Sequence, residues 1–371
     1  MHLRLSYPRN SFLTLLFLMT SINGLLCQLG QTEFPYNSYI CYKSIDTIQI
    51  DGIDTGSEWA KAPWSGAFVD IEGTAKETPP FETRVKMLWD DEYFYFYAEL
   101  EEPHVWGILT KRDAVIFYDD DFEIFIDPDG DGHNYYEFEL NALNTLWELI
   151  LLRPYRADDR PKVLNNWNIP NIRTAVNING SLNDPSDLDQ SWSVEWAIPW
   201  DALKELSGMA IPPQDEDQWR VNFSRVDWDM SAEDGKYIKK EDLKTGKNLP
   251  EHNWVWQPIG KINMHMPEEW GYVQFSLADG AESKSIFVED KDIFLKKHLW
   301  EIYLAQLSRL NTGESIALNI NELELTKPNI SCATETKIIS TSIGYHIEVL
   351  SCTTGITWVI NSEGRLFSKE K

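Results

Sequence analysis

The sequence predicts a mainly β protein: an antiparallel β-sandwich followed by a small α+β unit. Three observations carry this prediction. From about Ile48 to Ser276, apolar and polar residues alternate in short runs, the period at which successive side chains point to opposite faces of a sheet. Turn residues separate these runs, with only brief helical pieces such as 201–206 between them, which fits a sandwich and not a parallel sheet wrapped by helices. After about Leu277 the spacing becomes helical over 286–310.

Residues 50–64 open the fold with a short strand and a glycine-containing turn, and Trp59 and Trp64 are placed over a sheet edge. A hairpin follows at 84–100. Val85, Met87 and Trp89 alternate, Asp90, Asp91 and Glu92 turn the chain, and Phe94, Phe96 and Ala98 then alternate with Tyr93, Tyr95 and Tyr97. The next hairpin has Phe122, Ile124 and Ile126 on one arm and Tyr136, Phe138 and Leu140 on the other, with Glu137, Glu139 and Asn141 interleaved. Further strands are expected at 174–180, 192–200, 219–228 and 270–276. Phe294, Leu295, Leu299, Ile302, Tyr303, Ala305, Gln306 and Leu310 then form one helical stripe, and short β runs close the chain. The sandwich is therefore assigned to 42–277 and the accessory unit to 285–371.

The turn between the arms of the second hairpin, Asp127-Pro128-Asp129-Gly130-Asp131-Gly132, reproduces the first half of a helical calcium loop. Such a loop needs a bidentate Glu at its twelfth position, which here is Phe138. Both flanks also read as strands. Turn chemistry explains the motif, since Pro128 presets the backbone and the glycines supply positive φ. Three carboxylates crowded on one turn repel each other, so a structural calcium ion on Asp127, Asp129 and Asp131 is an open expectation.

The chain of 371 residues has a formal charge of −26, which repels phosphate backbones and anionic membranes and speaks against nucleic acid as a partner. Aromatic residues make up 13%, enough to offer ring faces to sugar-like ligands besides filling a core. At the amino terminus, His2, Arg4 and Arg9 precede an apolar run from Phe12 to Met19 and small or polar residues from Ser21 to Gly24. Residues 1–27 thus read as an export signal, too short for a permanent span, and Cys27 is a candidate lipid attachment site. A secreted, periplasmic or cell-surface protein is expected, with no stable membrane span. Cys332 and Cys352 could pair in an oxidising compartment, leaving Cys41 alone.

Six segments in order, IDG (50–52), VKMLWDDEYFYFYAEL (85–100), DDDFEIFIDPDGDGHNYYEFELNA (119–142), WSVEWAIPW (192–200), WRVNFSRVDW (219–228) and NWVWQPIGKINMHMPEEWGYVQFS (253–276), resemble the family 9 carbohydrate-binding modules and their close sandwich relatives. The resemblance covers roughly 45–277. It implies an exported, non-catalytic sandwich that binds an oligo- or polysaccharide beside enzymes of polysaccharide breakdown, with structural calcium in some members. It also implies a sugar held between two aromatic rings, carried over to Phe117 or Tyr118 and to Trp256, with Glu123, Glu139 and Arg225 bonding its hydroxyls. Two departures stand out. The first ring is Phe or Tyr where the family usually has Trp, and Glu139 stands where well-studied binders carry a basic residue.

Other readings of these residues are structural. Arg225 could neutralise Glu123 or Glu139 within the sheet. Trp254 and Trp256, two apart, share a face if extended, and Trp106, Trp147, Trp167 and Trp228 read as packing residues. Three competing functions follow. Paired carboxylates among Asp119, Asp120, Asp121, Glu123, Glu137 and Glu139 suggest a glycoside hydrolase, but no nucleophile elbow or zinc-helix motif accompanies them. Met264-His265-Met266 suggests haem ligation, for which no partner ligand is identifiable. A surface or assembly module with protein partners is the third.

Overall fold

The computed structural model of the chain describes residues 34–369 except 55, 158–161 and 326–334. The chain divides into two compact units, Met1–Pro35 and Tyr36–Lys371, and every element below belongs to the second. The export segment 1–27, including Cys27, and Cys332 lie outside the described residues. Cys352 is disulfide-bonded, and Cys41 is a buried free thiol.

Nineteen strands occur in the described residues: β1 Ser38–Lys43, β2 Val69–Asp70, β3 Thr83–Trp89, β4 Tyr93–Glu101, β5 Asp121–Asp127, β6 Tyr135–Asn141, β7 Leu146–Leu151, β8 Val163–Leu164, β9 Arg173–Asn179, β10 Ser191–Pro199, β11 Gln218–Asp227, β12 Met230–Glu233, β13 Lys236–Lys239, β14 His252–Val255, β15 Gly271–Ser276, β16 Lys337–Thr341, β17 Gly344–Leu350, β18 Thr357–Asn361 and β19 Leu366–Lys369. Two α-helices accompany them, the short α1 Trp200–Leu203 and the long α2 Ile293–Asn311.

The main sheet runs β8-β7-β6-β5-β11-β15-β1-β3-β4-β10-β9, with β14 joined to both β11 and β2. It curls over so that its two halves face each other across one core. Phe96 of β4 meets Phe223 of β11 at 5.8 Å between ring centroids, and Trp196 of β10 meets Phe138 of β6 at 6.3 Å. The alternation read from the sequence places the core correctly: Phe122, Ile124, Ile126, Tyr136, Phe138 and Leu140 all point between the layers. One strand departs from the antiparallel expectation. β1 runs parallel to both β15 and β3, and its β15 partners lie more than two hundred positions away, invisible to local patterning.

Local side chains fix the hairpins. In the β3–β4 turn, Asp90 Oδ1 accepts the N–H groups of Glu92 and Tyr93, both at 2.7 Å, and Oδ2 accepts the Tyr95 hydroxyl at 2.7 Å. In the β5–β6 turn, Asp127 accepts Gly130 N–H at 3.1 Å and Gly132 N–H at 3.0 Å. Carboxylates serve such turns because they can accept from several backbone donors at once.

The carboxyl-terminal elements have their own apolar cluster, in which Leu295, Leu299, Ile302 and Tyr303 of α2 pack on Tyr345, Ile347, Val349 and Ile360 of the β16–β19 meander. The predicted stripe also held a polar residue, Gln306. It is fully buried because its side chain pairs with both backbone groups of Ala317, donating at 2.7 Å and accepting at 2.9 Å. Leu310, in the last turn of the same helix, is exposed.

Candidate functional site

The outer face of β5, β6, β7 and β11, opposite the core, carries an unusual row of side chains. Cross-strand registers place Ser224, Glu123, Glu139 and Trp147 side by side on four adjacent strands. Asp121 and Asn141 form the rung on one side of Glu123 and Glu139, and Phe125 and Glu137 the rung on the other. Sequence alternation assigns these residues to the solvent side, yet Asp121, Glu123, Glu137 and Glu139 are all buried. One end of the face is covered by an apolar cluster of Phe125, Tyr135, Ile259, Met264, Met266 and Trp270. The carboxylates occupy the rest.

Like charges directly opposite on paired strands repel, and burial raises the effect by withdrawing water. Burial pushes the Glu123 carboxyl up to about 7. It drives Asp121, Glu137 and Glu139 well above the ordinary carboxylate range, with the charge of Glu123 adding to each. Hydrogen bonds offer little relief. Glu139 Oε2 accepts the Phe117 N–H at 3.1 Å, the Ser224 hydroxyl donates to Glu123 and the Val226 N–H to Asp121, and none of these donors brings a counter-charge.

Aromatic residues border this row. Phe117 and Tyr118 form a tilted pair at 4.9 Å in the 3-10 turn Ile116–Tyr118 just before β5, and Tyr118 is 56% exposed. The Phe117–Glu139 bond holds that turn beside the carboxylates. Trp228 supports it from behind, donating Nε1–H to Phe117 O at 3.0 Å. On the other side, half-buried Trp147 of β7 stands next to Glu139. Trp147, a packing residue in the sequence reading, does pack against the Phe125, Tyr135 and Trp270 cluster, and its register also sets it beside Glu139, a relation that only strand pairing reveals.

The structure therefore unites Phe117, Tyr118, Glu123 and Glu139, and separates Arg225 and Trp256 from them. On β11, Ser224 takes the outer position beside Glu123, so Arg225 must point inward, opposite Phe122. There it is 1% exposed. Its Nη2 bonds both Glu102 and Asp227, and Nη1 donates to Thr83 Oγ1 at 3.2 Å and Glu101 O at 2.7 Å. The expected neutralisation of Glu123 or Glu139 is corrected too: the guanidinium serves a different carboxylate pair on the other face. Trp256 is likewise no platform. It is 3% exposed and packs on Phe223 at 5.9 Å. It also lies so close to Gly271 that an added Cβ would come within 2.5 Å of its Cζ3. Trp254 shares its burial and cluster, as the two-residue spacing predicts.

Asp127, Asp129 and Asp131 each bring one oxygen within 4.8 Å of the others. Their lone pairs are largely taken by internal donors. Asp127 holds Gly130 and Gly132, while Asp131 accepts His133 N–H at 2.8 Å and pairs with Arg365 from the carboxyl-terminal unit. Leu366 N–H donates to Asp131 O at 3.0 Å, and the His133 ring meets Glu363 O at 3.1 Å. The acidic turn is thus the dock for the β18–β19 turn. At the Met264-His265-Met266 motif, both methionines are buried in the apolar cluster, and His265 Nδ1 lies 3.0 Å from the Tyr135 hydroxyl. Burial, with Arg156 nearby, lowers the His265 ring to about 4.

Among the described residues, no helix is long and apolar enough to cross a membrane. The chain is 28% identical over 126 residues to the exoglucanase XynX of Acetivibrio thermocellus and 27% identical over 126 residues to the endo-1,4-beta-xylanase A of Thermoanaerobacterium saccharolyticum, 34% of this chain in each case. It spans about a tenth of the length of these relatives. A family 9 carbohydrate-binding module from Caldicellulosiruptor kristjanssonii, solved with cellotriose, aligns at 13% identity with a TM-score of 0.41, covering 68% of this chain and 100% of that one. The family described as "Carbohydrate family 9 binding domain-like" matches residues 50–247, more than half of the chain, and the chain belongs to that family.

Proposed function

We propose that the chain binds an oligo- or polysaccharide on the outer face of β5, β6, β7 and β11, without catalysing its cleavage, and acts outside the cytoplasm in support of polysaccharide breakdown. The observation that carries this reading is the Glu123–Glu139–Trp147 row. Carboxylates accept hydrogen bonds from vicinal hydroxyls, and an adjacent indole offers an apolar surface to the C–H face of a pyranose. Phe117 and Tyr118 supply the second aromatic border. The export-like segment 1–27 and the names of the curated relatives favour an extracellular or cell-surface setting and β-1,4-linked glucans or xylans as ligands.

The test is retention on cello- and xylo-oligosaccharides, compared between wild type and Trp147→Ala. Removing a stacking ring costs about 1 to 3 kcal/mol of binding, roughly 5- to 150-fold in Kd. Wild type retained by no glycan would dispose of the carbohydrate reading. Undiminished retention of Trp147→Ala would move the site elsewhere on the chain.

A further inference from the structure

The chain is 13% aromatic, yet among the described residues only three Phe, Trp or Tyr side chains are exposed: Tyr118 at 56%, Tyr155 at 49% and Phe367 at 42%. Phe367 lies on β19 of the carboxyl-terminal unit. The other two stand at opposite ends of the carboxylate row. Tyr118 directly precedes the aspartates that lead into β5, and its neighbour Phe117 bonds Glu139. Tyr155 follows β7 by four residues. Its ring meets His265 at 4.5 Å between centroids and nearly at a right angle, and His265 in turn meets the Phe125 ring at 6.0 Å and the Tyr135 hydroxyl at 3.0 Å. Phe125 pairs with Glu137 between β5 and β6, so Tyr155 belongs to the far rung.

The loop that carries Tyr155 is pinned, which separates a binding platform from a ring that merely faces solvent. The guanidinium of the next residue, Arg156, pairs with buried Glu268 at 2.9 Å, donates to His265 O at 3.4 Å and to the Tyr303 hydroxyl, and lies 5.5 Å from the Trp300 ring. Trp300 and Tyr303 belong to α2, so the carboxyl-terminal unit anchors this loop. His265 is anchored as well, its backbone N–H donating to Asn263 Oδ1 at 3.1 Å. Burial of the Tyr155 hydroxyl, with the charges of Glu137 and Glu139 adding to it, raises its pKa to about 12. It stands beside those carboxylates as a neutral phenol. A ring already held in place loses little freedom when a ligand stacks on it.

We infer that Tyr155 is a further aromatic platform of the saccharide face, so that this face takes a glycan chain of several sugar rings laid from Tyr118 past Glu139 and Glu137 to Tyr155. The inference rests on the carbohydrate reading and narrows it to a chain, as opposed to a terminal mono- or disaccharide. The dimensions agree. The outer residues of β6, from Asn141 to Tyr135, advance about 20 Å at roughly 3.4 Å per residue, more than one pyranose covers. Each end then offers a ring to a C–H face, and the carboxylates between them accept from hydroxyls. The carboxyl-terminal unit gains a part in binding without touching the glycan, because it holds Tyr155 in place through Arg156.

The experiment measures the Kd of the full chain by calorimetry on cello- and xylo-oligosaccharides from disaccharide to hexasaccharide, for wild type, Tyr155→Ala and Tyr155→Phe. Wild type is expected to bind more tightly as the glycan lengthens. In Tyr155→Ala the gain from disaccharide to hexasaccharide is expected to shrink roughly fivefold or more, the effect of losing one stacking ring. Tyr155→Phe is expected to keep the gain, since the ring and not the hydroxyl makes the platform. Near-UV circular dichroism and Tm check that both variants are folded. An undiminished gain in Tyr155→Ala would overturn the inference, as would an equal loss in Tyr155→Phe or a wild-type affinity that does not change with length. In each of these cases the carbohydrate reading stands. Wild type that binds no glycan of any length sinks the carbohydrate reading, and this inference with it.

Discussion

Arg225→Met is expected to lower the unfolding free energy by about 3 to 5 kcal/mol, the range for removing one partner of a buried ion pair. The guanidinium is sealed between the layers, where it bonds Glu102, Asp227, Thr83 and the Glu101 carbonyl and lies 4.9 Å from the Trp254 ring. Methionine matches much of its length and none of its hydrogen bonds, leaving two carboxyls buried without a counter-charge. The loss should depend on pH. Burial already pushes the Glu102 carboxyl up to about 8, with Arg225 pulling the other way. Without the guanidinium it rises further above its unfolded value. A group raised in this way contributes fully below its unfolded pKa and loses that contribution as the pH climbs toward the folded one. Because wild-type Glu102 itself stays protonated up to about pH 8, the gap between the two proteins should open only as the pH rises through 8, so the variant should be closer to wild type at pH 7 than at pH 9. Urea denaturation with an unchanged m-value checks both statements. A loss below about 1 kcal/mol at pH 9 would mean that the guanidinium is not the cation of this cluster.

Trp256→Ala is expected to cost about 3 to 5 kcal/mol of stability, the range for a large aromatic removed from a core. Its indole fills the space over Gly271 and touches Phe223, and its backbone is held by the Phe223 carbonyl. This separates it from Trp147. A core indole and a ligand platform both lose glycan binding when truncated in a marginal protein, but only the core indole takes the fold with it. A Trp256→Ala variant that melts like wild type yet releases its glycan would return Trp256 to the binding surface.

These two residues mark where local pattern stopped being informative. The two-residue period is a property of each strand alone, so it placed Phe122, Ile124, Tyr136 and Phe138 in the core and set Glu123 and Glu139 together on the other face. Applied to β11, the same period separates Ser224 from Arg225. Which of the two stands beside Glu123 depends on the register between strands about a hundred residues apart. Resemblance to the family selected the arginine because a cation suits a sugar site. The register selects the serine. The place of Trp147 beside Glu139 is illegible for the corresponding reason: its segment reads as packing, which it does, but nothing in it tells that β7 lies against β6 in this register. The acidic turn was read correctly as a turn, while its partner Arg365, more than two hundred residues later, could not be found by spacing. Burial of one end of the outer face was equally illegible, since Val255, Ile259, Met264, Met266 and Trp270 of the covering cluster lie more than a hundred residues beyond Phe125.

The most direct test of the saccharide site is its position in a crystal of the chain grown with a cello- or xylo-oligosaccharide that it retains. The expected result is a pyranose ring lying against Trp147 with its hydroxyls bonded to Glu123 or Glu139. A well-ordered sugar bound away from this face, with Trp147 and both glutamates untouched, would contradict it.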